Sequence, residues 1–104
     1  MKPGSRDKRY PILITGRELV ELKKLTYLMA EAFGLDQRIE NYQGKRPIGL
    51  YRWDLDCLID VAELALADVK QYPLKSGAGY AAMQQLHDRL KRLSEQAYAD
   101  IAQD

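Results

Sequence analysis

The residues best suited to recognition lie in one connector, residues 42–53. It contains two tyrosines, the only tryptophan and three cations, namely Tyr42, Lys45, Arg46, Tyr51, Arg52 and Trp53, with Arg38 shortly before it. Arginine, tyrosine and tryptophan are enriched at protein interfaces because they combine large contact area with planar hydrogen bonding and cation–π contacts. The connector also leads to a predicted helix N-terminus, a place suited to phosphates or carboxylates. We therefore predict that these residues bind another protein.

A structural role for the same connector is the alternative. In that interpretation Trp53 and Leu50 pack the connector onto the folded domain, because an aromatic side chain next to a helix start often faces inward. The cations then only keep the loop solvated. Exposure of Trp53 together with Arg46 and Arg52 on one patch favours binding, whereas burial of Trp53 favours the structural role.

Three acidic residues, Asp56, Asp60 and Glu63, share one side of the helix predicted after the connector. Carboxylates at this spacing suit Mg²⁺ or Mn²⁺, as in small helical enzymes that cleave nucleoside triphosphates. Such sites take acids from two or more helices, and the last helix offers no better candidate than His87. We therefore predict no metal, no cofactor and a non-catalytic interaction or regulatory module. A Mg²⁺- or Mn²⁺-dependent nucleotide pyrophosphohydrolase is one alternative function.

The remaining candidate groups favour structural roles. Asp54 and Asp56 are placed to stabilise a helix N-terminus through its dipole. His87 lies on the shoulder of an apolar helix face, which favours a boundary residue hydrogen-bonded to a neighbour. The single cysteine, Cys57, is predicted to be a small buried hydrophobe, since it cannot form an internal disulfide.

One stretch resembles a known DNA-binding motif. Residues 30–37, 38–41 and 44–47, read as AEAFGLDQ, RIEN and GKRP, resemble pieces of the helix-turn-helix of the phage-repressor family. The resemblance implies that Asp36 to Asn41 is a recognition helix for the major groove, followed near the DNA backbone by Gly44 to Arg46. Tyr42 and Gln43 interrupt the family's continuous Asn-Gly-Lys-Arg stretch. A DNA-binding protein is therefore the other alternative function.

The charge distribution fits a partner of opposite charge. The net charge is +1, but residues 1–52 carry eleven Lys and Arg against six Asp and Glu, whereas residues 53–104 carry five against nine. The basic half suits phosphates, an acidic protein or the acidic half of another copy. A solvated helix surface is the plainer explanation.

Length and composition predict one folded domain. The chain has 104 residues, of which 46% are apolar and 30% charged, which fits one small globular domain and excludes disordered and low-complexity classes. Residues 1–9 read as a flexible basic arm and residues 10–104 as a single helical domain. No apolar stretch approaches the roughly 18 residues of a membrane span, and no secretory signal is visible, so we expect a cytoplasmic protein that contacts no membrane.

Apolar periodicity predicts the fold class. We expect an all-α protein, a small bundle of three longer helices, over residues 18–33, 54–71 and 80–102, and one short helix over 36–42. Thr15 and Glu18 have the spacing of a capping box for the first helix. Residues 10–14 form a possible short extended segment whose only plausible partner is 47–50, although 45–51 otherwise reads as a loop.

The last predicted helix has a narrow apolar seam at heptad-like spacing. The seam consists of Met83, Leu86, Leu90, Leu93, Ala97 and Ile101. It either packs in the groove between the earlier helices or pairs two copies of the chain. A homo-oligomer through the last helix is therefore a second partner prediction.

Overall fold

The computed structural model describes residues 8–29 and 34–102. Its elements, in chain order, are β1 (Tyr10–Ile12), α1 (Gly16–Lys23), a 3₁₀ turn (Thr26–Met29), α2 (Leu35–Asn41), β2 (Ile48–Leu50), α3 (Arg52–Ala67) and α4 (Ala78–Ala102). The predicted small, mostly helical fold is confirmed, with a two-stranded ribbon added to it. Residues 1–7 of the predicted arm and residues 30–33 of the first predicted helix lie outside the described residues.

The ribbon joins the two segments that the sequence named as possible partners. The strands are antiparallel, with the pairs Tyr10 and Leu50, Pro11 and Gly49, and Ile12 and Ile48. The predicted loop over 45–51 is therefore wrong at residues 48–50. Proline has no N–H, so Pro11 and Gly49 are the pair that exchanges no hydrogen bonds, and the ribbon bonds lie at the two flanking pairs. Consequently, the N–H and C=O of Gly49 point away from β1.

The first helix is shorter than predicted. It ends at Lys23, and the chain continues with an i→i+3 hydrogen bond from the Leu25 N–H to the Leu22 carbonyl (3.0 Å). Thr26 favours this ending because its hydroxyl donates to the Lys23 carbonyl (3.4 Å), a local bond that competes with the helix. The tighter turn leaves Leu25 and Met29 buried.

The predicted capping box at the start of α1 is wrong. Thr15 makes no side-chain cap hydrogen bond, and the Glu18 carboxylate instead accepts a hydrogen bond from Arg89 of α4 (2.5 Å). Arg89 also donates to the carbonyl of Leu13 (2.7 Å). This arginine therefore ties the end of β1 and the start of α1 to the last helix.

The middle helix also ends earlier than predicted. α3 ends at Ala67 because Asp68 leaves the helical conformation, with ψ 111°. Its carboxylate then accepts the N–H of Lys70 (2.9 Å), a turn that aspartate forms readily. The chain reverses after this turn, and α4 runs antiparallel to α3.

α4 packs against both α1 and α3, and the core lies between these helices and the ribbon. Of the predicted seam, four residues are buried, namely Met83, Leu86, Leu90 and Ala97. Leu93 is partly buried and Ile101 is 44% exposed. Most of the seam is thus used inside the chain. Among the described residues, no helix has the length and apolar character needed to cross a membrane.

A buried carboxylate joins α1 to the start of α4. Glu21 is 1% exposed and accepts hydrogen bonds from Tyr72 Oη (2.8 Å), Arg17 Nε (3.0 Å) and Lys24 Nζ (3.0 Å). Gly79 leaves it room, since a Cβ there would lie 2.9 Å from Glu21 Oε1. Burial acts to raise the pKa of Glu21, but the hydrogen bonds from Tyr72 and Lys24 and the two cations hold that pKa below its ordinary value.

Candidate functional site

Two aromatic rings of the connector stack on each other. The Tyr51 and Trp53 centroids are 4.8 Å apart with an interplanar angle of 13°. Each ring also carries a guanidinium, with Arg9 5.4 Å from the Tyr51 centroid and Arg52 5.2 Å from the Trp53 centroid. Tyr51, Arg52 and Trp53 are all half-buried, so the Trp53 ring is not enclosed in the core. We call Arg9, Tyr51, Arg52 and Trp53 together the aromatic stack.

The ribbon positions Arg9 in the stack. Residues 9, 49 and 51 share one face of the ribbon because side chains alternate along a strand. Gly49 provides a flat surface there, and a Cβ at this position would lie 3.0 Å from Arg9 Cδ and 3.2 Å from Arg9 Cβ. Arg9 therefore crosses Gly49 and donates from Nε to Tyr51 Oη (3.1 Å). Arg9 was assigned to the flexible arm from the sequence, yet it packs on the ribbon.

Asp54 fixes the start of α3 beneath the stack. It is 1% exposed, and its carboxylate accepts the backbone N–H of Tyr51 (3.0 Å). The same oxygen forms an ion pair with Arg38 of α2 (2.6 Å). The predicted role of Asp54 at a helix N-terminus is confirmed. Through this carboxylate, α2 and the aromatic stack hold a fixed relative position.

Tyr42 acts as a support for the loop before β2. Its half-buried ring packs against the core, and its hydroxyl accepts the Ile14 N–H (3.3 Å) and donates to the Arg46 carbonyl (2.5 Å). Gly44 turns the chain with φ 73°, and a Cβ there would lie 2.9 Å from Leu19 Cδ2. The side chains of Lys45 and Arg46 are held at the surface by this turn.

A groove of about 550 Å³ separates α2 from β2. Three arginines line it, Arg9, Arg38 and Arg46, together with the amides Gln37 and Asn41. Among the described residues that line it, none is acidic. Arg9 belongs to both the groove and the aromatic stack, so the two are continuous. We call the stack and the groove together the connector surface.

Two of the three acidic candidates of α3 are paired with side chains of α4. Glu63 meets His87 Nε2 (2.9 Å), and Asp56 accepts the Tyr98 hydroxyl (2.5 Å), a hydrogen bond that raises the pKa of Tyr98. We call these four residues the polar row. His87 thus bonds to a neighbouring residue, as predicted. Residues 8–29 and 34–102 contain no group of three His, Cys, Asp or Glu residues placed to hold a metal ion.

Asp60 is exposed and Cys57 is half-buried, where burial raises the pKa of its thiol. All six predicted binding residues line or flank the connector surface, and Tyr42 also holds the loop through its hydroxyl. Sequence reasoning missed Arg9 and Gly49, although the proposed pairing of residues 10–14 with 47–50 places them on one ribbon face with Tyr51.

Comparisons of the chain with protein-family models, with curated proteins and with solved structures gave no match.

Proposed function

We propose that this chain is a small non-catalytic interaction module that binds another protein through the connector surface. One observation carries the proposal: the half-exposed Tyr51 and Trp53 rings, each contacted by an arginine, adjoin a groove lined by arginines and amides. This combination is typical of the central residues of protein interfaces.

Contacts within the chain already position much of this surface. Asp54 holds the backbone of Tyr51, and Gly49 and Tyr51 hold Arg9 in place. Side chains that are already ordered lose less conformational entropy on binding, which leaves more of the contact energy for affinity. The exposed cations Lys45 and Arg46 favour a partner that offers carboxylates, because charge-assisted hydrogen bonds to arginine are strong and directional.

Trp53 provides a built-in reporter for the test, because it is the only tryptophan of the chain. Proteins captured from a cell lysate by the wild-type chain are identified, purified and titrated while the tryptophan emission is recorded. We expect binding to change the emission, and we expect Arg46→Ala and Trp53→Ala to reduce capture of the same protein.

Lys91→Ala, which removes an exposed cation of α4, is the matched control and should leave capture intact. Circular dichroism confirms that each variant is folded. Equal capture by the wild-type chain, Lys91→Ala and both connector variants would show that the assigned surface is wrong.

DNA binding is the second candidate, because α2 brings Gln37, Arg38 and Asn41 of the predicted recognition segment to the groove. It requires affinity for duplex DNA that falls steeply as ionic strength rises. The absence of binding at low salt would remove it. Against it, Arg38 is already paired with Asp54, and α2 has only seven residues.

Two further predictions are separate from this surface. The nucleotide pyrophosphohydrolase alternative requires Mg²⁺ or Mn²⁺ to raise the Tm, since a ligand that binds only the folded state stabilises it. Self-association through the last helix is left with its exposed end, at Tyr98 and Ile101, because most of the predicted seam is buried. Sedimentation velocity over a range of chain concentrations tests it.

A further inference from the structure

The free edge of β2 presents one pair of backbone groups to the groove. The N–H and C=O of Gly49 point away from β1, and Gly49 lines the groove. On one side of it Pro47 has no N–H. On the other side the Tyr51 N–H is bonded to Asp54 and the Tyr51 carbonyl to the Leu55 N–H (3.0 Å). Gly49 is therefore the residue of this edge suited to exchanging two hydrogen bonds with an added strand.

The charges around this edge specify the kind of strand. In an added strand, the side chain opposite Gly49 lies on the ribbon face that carries Arg9, and its two neighbours point to the opposite face. Arg9 uses Nε for Tyr51, and its terminal nitrogens have no hydrogen bond among the described residues. Arg46 is exposed and has no ion pair in the described part of the chain. Carboxylates are the natural complement of both.

We infer that the partner contributes an extended acidic segment, which adds to the edge of β2 as a third strand in the groove. One residue of the segment exchanges two backbone hydrogen bonds with Gly49, and carboxylates of the segment meet Arg9 and Arg46. This inference rests on the proposed function and names the form of its partner. Strand addition of this kind takes affinity from main-chain bonds and specificity from alternate side chains.

The edge favours a strand over other ligands. A helix satisfies its own backbone groups and cannot pair with Gly49 along its length. A nucleic acid offers phosphates to the arginines but has no alternating N–H and C=O groups to match the edge. The extended acidic peptide matches both the backbone pair and the charge.

The first experiment varies the peptide ligand and leaves the protein unchanged. A library of random dodecapeptides is displayed, and the peptides that bind the immobilised chain are selected and synthesised. Each peptide is then titrated into the protein while the Trp53 emission is recorded. We expect them to be rich in Asp and Glu. We also expect N-methylation at one peptide position to weaken binding by about fivefold or more, the effect of losing one hydrogen bond, and methylation of the adjacent residues to have little effect.

The protein side uses two substitutions at one position. Gly49→Pro removes the N–H that faces the groove without removing a bond between β1 and β2. Gly49→Ala adds a Cβ against Arg9 but keeps the N–H. We expect Gly49→Pro to bind the selected peptides about fivefold more weakly than Gly49→Ala. Should Gly49→Pro not fold, the N-methyl series decides.

The outcomes separate this inference from the proposed function. Peptides or proteins that lose binding with Trp53→Ala, but show no N-methyl-sensitive position or bind as helices, overturn the third strand and leave the interaction module standing. Failure of every peptide and protein to bind overturns both. Tighter binding of duplex DNA than of any selected peptide also overturns both.

Discussion

The connector surface and the polar row both combine charged side chains with aromatic or imidazole rings but use them differently. In the polar row, Asp56 and Glu63 each bond to a side chain of α4, so both carboxylates are satisfied within the chain. On the connector surface, Arg46 has no ion pair among the described residues, and neither has the adjacent Lys45. The Tyr51 and Trp53 rings of this surface remain half-exposed. A polar group is available to a ligand only where the fold has not already given it a partner.

This difference between the two regions is not visible in the sequence. Both regions combine charged residues with aromatic or imidazole side chains, and both lie at or next to α3. What separates them is the neighbouring element, since the polar row faces α4 whereas the connector surface faces the open space between α2 and β2. The changes below test the comparison, from the largest expected effect to the smallest.

Asp54→Ala should break the connector surface by removing its support. The substitution leaves Arg38 without its buried partner and the Tyr51 N–H without its acceptor. We expect the free energy of unfolding to fall by about 3 kcal/mol, from the lost cap and the broken pair. Urea denaturation measures the loss. Asp60→Ala, an exposed acid of the same helix, should change it by less than about 0.5 kcal/mol.

Glu21→Gln should lower stability without weakening binding. Glu21 belongs to α1 and packs against Gly79 at the start of α4, whereas the connector surface lies near the other end of α4. We expect a loss of about 2 kcal/mol at neutral pH, since the buried carboxylate loses its ion pairs. Ligand binding at the connector surface should be unchanged. A variant that unfolds as readily but also loses binding would show that the two regions are coupled.

The stability lost through Glu21→Gln should also depend on pH. The folded state lowers the pKa of Glu21 below its ordinary 4.5. Its contribution to stability is therefore full above that value and is lost as pH falls through the lower, folded pKa. The stability difference between wild type and Glu21→Gln should shrink below about pH 4.5. Thermal unfolding from pH 7 to pH 3 measures it, with Glu95→Gln, an exposed acid of α4, as control.

Tyr42→Phe should loosen the loop without altering the stack. The hydroxyl that joins the Ile14 N–H to the Arg46 carbonyl is lost, while the ring keeps its packing. We expect a loss of about 1 kcal/mol in unfolding free energy and faster amide hydrogen exchange around Arg46. Tyr27→Phe, at a tyrosine that is 69% exposed, should change neither quantity.

Glu63→Gln should have the smallest effect of the series. The carboxylate is half-exposed and its bond to His87 lies at the surface, so the unfolding free energy should change by less than about 0.5 kcal/mol. Binding at the connector surface should not change either. A loss of binding comparable to that of Trp53→Ala would place the polar row in the site and refute the comparison.

Local patterns in the sequence were sufficient for several elements. The short helix was predicted over 36–42, with Asp36 as its cap, and is found at Leu35–Asn41, where Gly34 is the N-cap and Asp36 lies in the first turn. Residues 10–14 were a possible extended segment whose only plausible partner was 47–50, and the structure confirms that pairing at Tyr10–Ile12 and Ile48–Leu50. The spacing of the α4 seam marked Met83, Leu86 and Leu90 as apolar contact residues and left open an internal or an intermolecular partner; all three are buried within the chain.

Long-range contacts account for what the sequence did not show. Glu18 was assigned to a local capping box, but its partner is Arg89, 71 residues later. Arg9 looked like part of a charged arm because nothing nearby in the sequence can order it, and its contacts are with Gly49 and Tyr51. The groove lies between α2 and β2, which follow one another in the chain, but Arg9 reaches it only because β1 pairs with β2.

Pro11 gives the ribbon two unlike sides. Its ring nitrogen faces outward from β1 and carries no hydrogen, so that margin offers a carbonyl where a further chain would need a donor as well. A further chain added beside Pro11 would therefore gain fewer main-chain hydrogen bonds than one added beside Gly49. This asymmetry disfavours the stacking of copies into a fibril through both edges of the ribbon.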